Sequence, residues 1–152
     1  MTTTDAEDGF VDTNILIYAT NAQSPWHQQA TAALNDARQG GVNFVISPQI
    51  LREYLVTATR PAPTPLLRSA EALENVEIYQ KEFRVVADSP EVSASLVALV
   101  RRYGVLGKQV HDTNIVATML THGVNRLLTH NVADFVRFSQ EITVIPMIRS
   151  ET

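Results

Sequence analysis

Cysteine is absent from the 152 residues, so the chain has no disulfide and no thiolate to offer a metal; any metal must be held by oxygen or imidazole. A surplus of positive charge is missing too, with twelve Lys and Arg against sixteen Asp and Glu and a formal charge of −4. Bulk attraction to a phosphate backbone is thereby excluded, and a nucleic-acid function must rest on local patches or on a metal. Long apolar runs are also lacking. The longest, Ile15 to Ala19 and Leu96 to Val100, fall far short of the roughly 20 residues that span a bilayer, so no membrane span is expected. The leader Met1 to Asp8 has neither the basic start nor the apolar core of a signal peptide, which sets the expectation of a cytoplasmic protein. What is present, 45% hydrophobic and 18% charged residues, is the make-up of an ordinary globular chain, and the length suits one domain.

Four hydroxyl–proline pairs, Ser24-Pro25, Ser47-Pro48, Thr64-Pro65 and Ser89-Pro90, mark helix starts, since Ser or Thr can cap free amides and proline suits the first helical position. Gly40-Gly41, Gly104 and Gly123 mark helix ends. Between these marks lie short apolar or β-branched runs, Phe44-Val45-Ile46, Phe83 to Ala87, Leu127-Leu128 and Val144-Ile145, as expected of strands buried on both faces. Val92, Leu96, Leu99, Val100 and Tyr103 recur at helical spacing, as do Leu66, Ala70 and Leu73. The alternation predicts an α/β fold: a mostly parallel sheet of 4–5 strands with helices on both faces. The proline-rich stretch Arg60 to Pro65 predicts a turn into a projecting helical hairpin rather than a domain boundary.

The stretch Gly9 to Tyr18 carries an apolar run that stops at Asp12, where helix-forming residues begin. An acid at a strand's carboxyl end is placed to meet a ligand, because ligands of open α/β sheets collect there. An echo, His111-Asp112-Thr113-Asn114-Ile115, follows a hundred residues on, with Glu53 and Asp134 in comparable settings. The ordinary explanation for Asp12, Asp112 and Asp134 is helix capping. It is weakest for Asp112, which shares a stripe with Ile115, Val116, Met119 and Leu120 and would be costly there unless paired or metal-bound. Glu53 falls inside the helix opened by Ser47-Pro48, where the ordinary explanation is a boundary glutamate. In a parallel sheet all four acids converge on one edge, repel one another, and make sense with a cation. Oxygen ligands favour magnesium or manganese over zinc, and two such ions would clamp an in-line phosphoryl displacement by water. Thr13, Thr129 and Asn131 can hold the carboxylates or a water in place.

Val11-Asp12-Thr13-Asn14, Glu53 within a helix, Asp112 opening another, and Thr129-His130-Asn131-Val132-Ala133-Asp134-Phe135 together resemble the PIN-domain ribonucleases, and among them the VapC-type toxins of prokaryotic toxin–antitoxin pairs. The resemblance implies a single PIN-like domain over residues 9–148, between a flexible leader (1–8) and a tail (149–152). It implies magnesium- or manganese-dependent endoribonuclease activity, an RNA substrate, a small antitoxin that blocks the site, and a homodimer. By the same resemblance Asp12, Glu53, Asp112 and Asp134 are the catalytic acids, with Asp12 and Asp112 on the metal. Many relatives carry an acid where Asn131 stands, so Asn131 and Asp134 compete for the fourth position.

Arg52, Arg101, Arg102 and Lys108 are candidates for holding flanking phosphates, with a solvated helix face as the ordinary alternative. His111 and His130 flank the acids; Trp26, Tyr54 and Tyr79 could stack on bases, although such aromatics are more often core. Two rival functions remain. An aspartyl-phosphate phosphatase is disfavoured because Asn14 stands where its second acid is needed. A non-catalytic module pairing through the Pro61 to Phe83 region is disfavoured by the full set of acids.

Overall fold

The computed structural model describes residues 7–148, so most of the expected leader and all of the expected tail, 149–152, lie outside the described residues. Glu7 and Asp8, assigned from sequence to that leader, belong instead to the first strand, β1 (Glu7–Val11). Four more strands follow, β2 (Val42–Ile46), β3 (Arg84–Val85), β4 (Arg126–Thr129) and β5 (Thr143–Pro146), and all pair in parallel in the order β3-β2-β1-β4-β5. Phe10 and Val11, Val45 and Ile46, and Leu127 and Leu128 are consecutive residues that are all buried, so the central strands are covered on both faces.

The covering comes from α1 (Thr13–Thr20), α2 (His27–Gln39), α3 (Pro48–Ala58), α4 (Ser69–Glu82), α5 (Pro90–Tyr103), α6 (Gln109–Thr121) and the short α7 (Val132–Phe135). The chain winds outward from β1 through β2 to β3, then returns across the sheet to β4 and β5. The winding therefore reverses between β1 and β4, and the crevice at their carboxyl ends is where such sheets bind ligands. Gly9 lets β1 run close to its neighbour, since a Cβ there would lie 2.8 Å from Val42 Cγ1. Among the described residues no helix is long and apolar enough to cross a membrane.

Local punctuation was partly as expected. Pro48 and Pro90 open α3 and α5, and Gly104, at φ 63°, ends α5 in the left-handed conformation that glycine adopts without strain. The hydroxyls do not cap: neither Ser47 nor Ser89 bonds a free helix amide, and Ser47 Oγ is buried without a partner. Ser24 instead accepts a bond from Trp26 N (3.1 Å) in a turn that precedes α2.

Thr64-Pro65 does not start a helix. Each proline disfavours helical backbone in the residue before it, the chain stays non-helical to Arg68 (ψ 148°), and α4 begins at Ser69. The expected stripe Leu66, Ala70, Leu73 is consequently exposed, and α4 buries Ala72 and Tyr79. The α3–α4 hairpin forms as expected, and its base is tied to α1 by Tyr54 Oη with Thr20 Oγ1 (2.9 Å) and Tyr79 Oη to Leu16 O (3.5 Å). Leu67 N bonds Ala58 O (3.2 Å), the rings of Tyr54 and Tyr79 meet edge to face at 5.4 Å, and both tyrosines are core.

Candidate active site

Asp12 is the residue between β1 and α1, extended at φ −74° and ψ 153°, and 6% exposed. One carboxylate oxygen accepts from Thr13 N (2.8 Å); the other accepts from Thr129 Oγ1 (2.7 Å), at the end of β4, and from Asn14 Nδ2 (3.1 Å). The Thr129 bond spans the reversal point of the sheet. Asn14 completes the junction by accepting from His130 N (3.1 Å). Asn131 N donates to Thr129 Oγ1 (3.0 Å).

Glu53 projects from α3 with both oxygens engaged, one by Thr13 Oγ1 (2.9 Å) and the other by Gln49 Nε2 (3.0 Å). Gln49 is buried, also donates to His111 O (2.7 Å), and accepts from Asn114 Nδ2 (2.8 Å). Asp112 lies inside the first turn of α6, three residues after its start, rather than opening the helix as expected. It is half-buried, and among the described residues its carboxylate has no hydrogen-bond partner.

Asp12, Glu53 and Asp112 line one cleft of about 550 Å³, together with Thr13, Asn14, Tyr18, Arg52 and Asn131. Burial, with a smaller contribution from the charge of Glu53, pushes the Asp12 carboxyl up to about 6 against the pull of its hydrogen bonds. Burial, then the charges of Asp12, Asp134 and Glu53, pushes Asp112 up to about 7. Among the described residues none of these acids has a Lys or Arg ion-pair partner. The cleft thus concentrates carboxylates that are not ion-paired, a repulsion that a divalent cation would relieve. No three His, Asp or Glu side chains among the described residues stand close enough to hold an ion as placed. A hard ion that keeps several waters needs only one or two protein carboxylates, so the donor set fits magnesium or manganese.

The other expected residues divide. Thr13 and Thr129 hold Glu53 and Asp12, and Asn131 lines the cleft. Asp134 is exposed on α7 outside the lining, and it reaches Asp112 only through its charge. Arg52 lines the cleft with its side chain 65% exposed, at 4.0 Å from Asp88. Arg101, Arg102 and Lys108 do not line it; Arg102 is taken up by Glu141 (2.8 Å). The His130 ring packs on Trp26 and Tyr18, and the His111 side chain is exposed. Sequence reasoning passed over Tyr18, Gln49 and Asn114. Gln49 had left a signal, being four residues before Glu53 on the same helix face.

The PIN domain profile matches residues 9–139. Ribonuclease VapC24 of Mycobacterium tuberculosis is 26% identical over 130 residues, covering 84% of this chain and 89% of its own. The fold is similar to a toxin–antitoxin complex from Klebsiella pneumoniae (TM-score 0.67, 22% identity, 93% of this chain and 99% of that one). It is also similar to VapC20 of Mycobacterium tuberculosis, a sarcin–ricin-loop-cleaving toxin (TM-score 0.62, 18% identity, 78% and 86%). With the profile running from Gly9 in β1 past β4, and so over the reversal point and all the acids of the cleft, the chain belongs to the PIN domain family.

Proposed function

We propose that this PIN domain protein is a magnesium- or manganese-dependent endoribonuclease that acts in the cytoplasm as the toxin of a toxin–antitoxin pair. The observation that carries the reading is the meeting of Asp12, Glu53 and Asp112, from three separate elements, in one cleft where, among the described residues, none of them is ion-paired to Lys or Arg. Asp12 and Asp112 would hold the ion, which when bound supplies Lewis-acid polarisation and lowers the pKa of a coordinated water. The chain's own residues do the positioning. Thr13 fixes Glu53 at the cleft wall, Thr129 and Asn14 fix Asp12, and Arg52 at the rim can hold a flanking phosphate without reading sequence. Hydrolysis then breaks one phosphodiester P–O bond of RNA, with water as the incoming group.

The naming of relatives as a VapC ribonuclease and a toxin–antitoxin complex supports an RNA substrate and an antitoxin as partner. The test combines melting and cleavage. Manganese at a hundred times its dissociation constant should stabilise the protein by about 2.7 kcal/mol, and it should be needed for cutting RNA. A chain that neither shifts its melting nor cuts RNA with manganese is a non-catalytic module.

A further inference from the structure

We propose that Gln49 is a positioning residue that sets the spacing between the Glu53 and Asp112 carboxylates and thereby the affinity of the cleft for a divalent cation. The inference rests on the reading of the cleft as a metal site. A primary amide has two N–H donors and one acceptor oxygen, and all three functions of Gln49 are used: Glu53 Oε1 (3.0 Å) and His111 O (2.7 Å) accept, and Asn114 Nδ2 (2.8 Å) donates. Turning the amide over would set its oxygen against two acceptors and its nitrogen against a donor, so the partners fix its orientation. At 5% exposure these bonds meet little competition from water.

The partners are not scattered. Glu53 is one acidic wall of the cleft; His111 and Asn114 stand immediately before and two residues after Asp112, the other wall. Among the described residues, the side-chain hydrogen bonds that join α3 to α6 all pass through Gln49. Asp12 needs no such brace, because the sheet carries it. Glu53 and Asp112 are like charges on two separate helices, and without the brace their repulsion would move them apart. A cation would then have to draw them back, at a cost in affinity.

Titrating manganese into the full-length protein by calorimetry tests this with a readout other than catalysis. Gln49→Met keeps the volume and removes all three bonds; its dissociation constant for manganese should rise roughly 10- to 100-fold, the usual effect of removing a group that orients a ligand. Excess manganese should restore cleavage of total RNA by that variant, which a merely misfolded cleft would not allow. Asn114→Ala removes one bond, leaves the Glu53 contact, and should weaken manganese less. A folded Gln49→Met that binds manganese as wild type does overturns the proposal while the metal reading stands. If Gln49→Met does not fold, unchanged binding in Asn114→Ala overturns it instead. Wild type that takes up no manganese removes the metal reading and the inference together.

Discussion

The residues Asp-Thr-Asn-Ile occur twice, at Asp12 to Ile15 and at Asp112 to Ile115, and the fold puts them to different uses. In the first copy the apolar residues in front pair into the sheet, so the aspartate sits at a strand–helix junction, buried and holding three hydrogen bonds. In the second copy the residues in front, Gln109 to His111, are already helical; the aspartate is half-buried on a helix side and holds none among the described residues. Thr13 reaches out to Glu53, whereas Thr113 turns back on its own helix to Gln109 O (2.9 Å). Only the isoleucines agree, both fully buried. Identical letters are thus a fixed, pre-bonded carboxylate in one place and a free, repelled one in the other, and what precedes them decides which.

The largest effect should be shared. Asp12→Asn and Asp112→Asn should each lower manganese-dependent RNA cleavage by about 100-fold or more, since each removes charge from where it must act. Cleavage by Asp112→Asn at the wild-type rate would break the comparison, leaving only the first copy in the site.

Stability should separate the two. At position 12 an amide would turn an NH2 toward donors already bonded to the carboxylate, a mismatch worth about 1–3 kcal/mol, partly offset by loss of a buried charge. At position 112 no bond is lost and repulsion is relieved, a gain on the order of 1 kcal/mol after allowing for solvent screening. Asp112→Asn should therefore melt roughly 2–4 °C above wild type at pH 8 without metal, and Asp12→Asn at or below it. A common sign for both would refute the distinction.

The pH dependence follows with the same logic. Both carboxyls titrate higher folded than unfolded, so between the unfolded value of 3.8 and the folded values of about 6 and about 7 the native state holds protons that the unfolded chain has released. Their contribution to stability is complete below the unfolded value and is lost as pH rises through about 6 and then about 7. The metal-free protein should melt lower at pH 8 than at pH 5, Asp112→Asn should flatten the upper part of that decline, and manganese should reverse it. A metal-free protein that is equally stable at both pH values argues against the shifts.

Much of this frame was legible before the structure. Short β-branched runs between helical periods give away a parallel sheet because burial on both faces leaves a strand no polar alternation, and Asp12 was readable because an apolar run stops at it. Glu53 and Asp112 were readable as acids beside apolar stripes. What was not legible lay in partnership: Gln49 and Asn114 are ordinary helix residues until two helices meet. Asp134 carries the right chemistry in the right order, yet α7 leaves it outside the cleft while Asn131 lines it. The start of α4 was misplaced because Thr64-Pro65 has the letters of a cap within a run of prolines that forbids the helix.

The smallest effect tests the threonines. Thr13→Val keeps the shape and removes the hydroxyl that holds Glu53, leaving that oxygen to find another donor or water. Loss of one such bond to a charged group is worth about 1.5–3 kcal/mol at most, and much of it should show as weaker cleavage, roughly 10-fold. Thr113→Val removes a bond to Gln109 O, a carbonyl that the helix itself can satisfy, so stability should change by less than about 1 kcal/mol and cleavage hardly at all. Equal losses of cleavage from the two valines would mean that the second threonine also serves the site, and the two copies would be more alike than their bonds suggest.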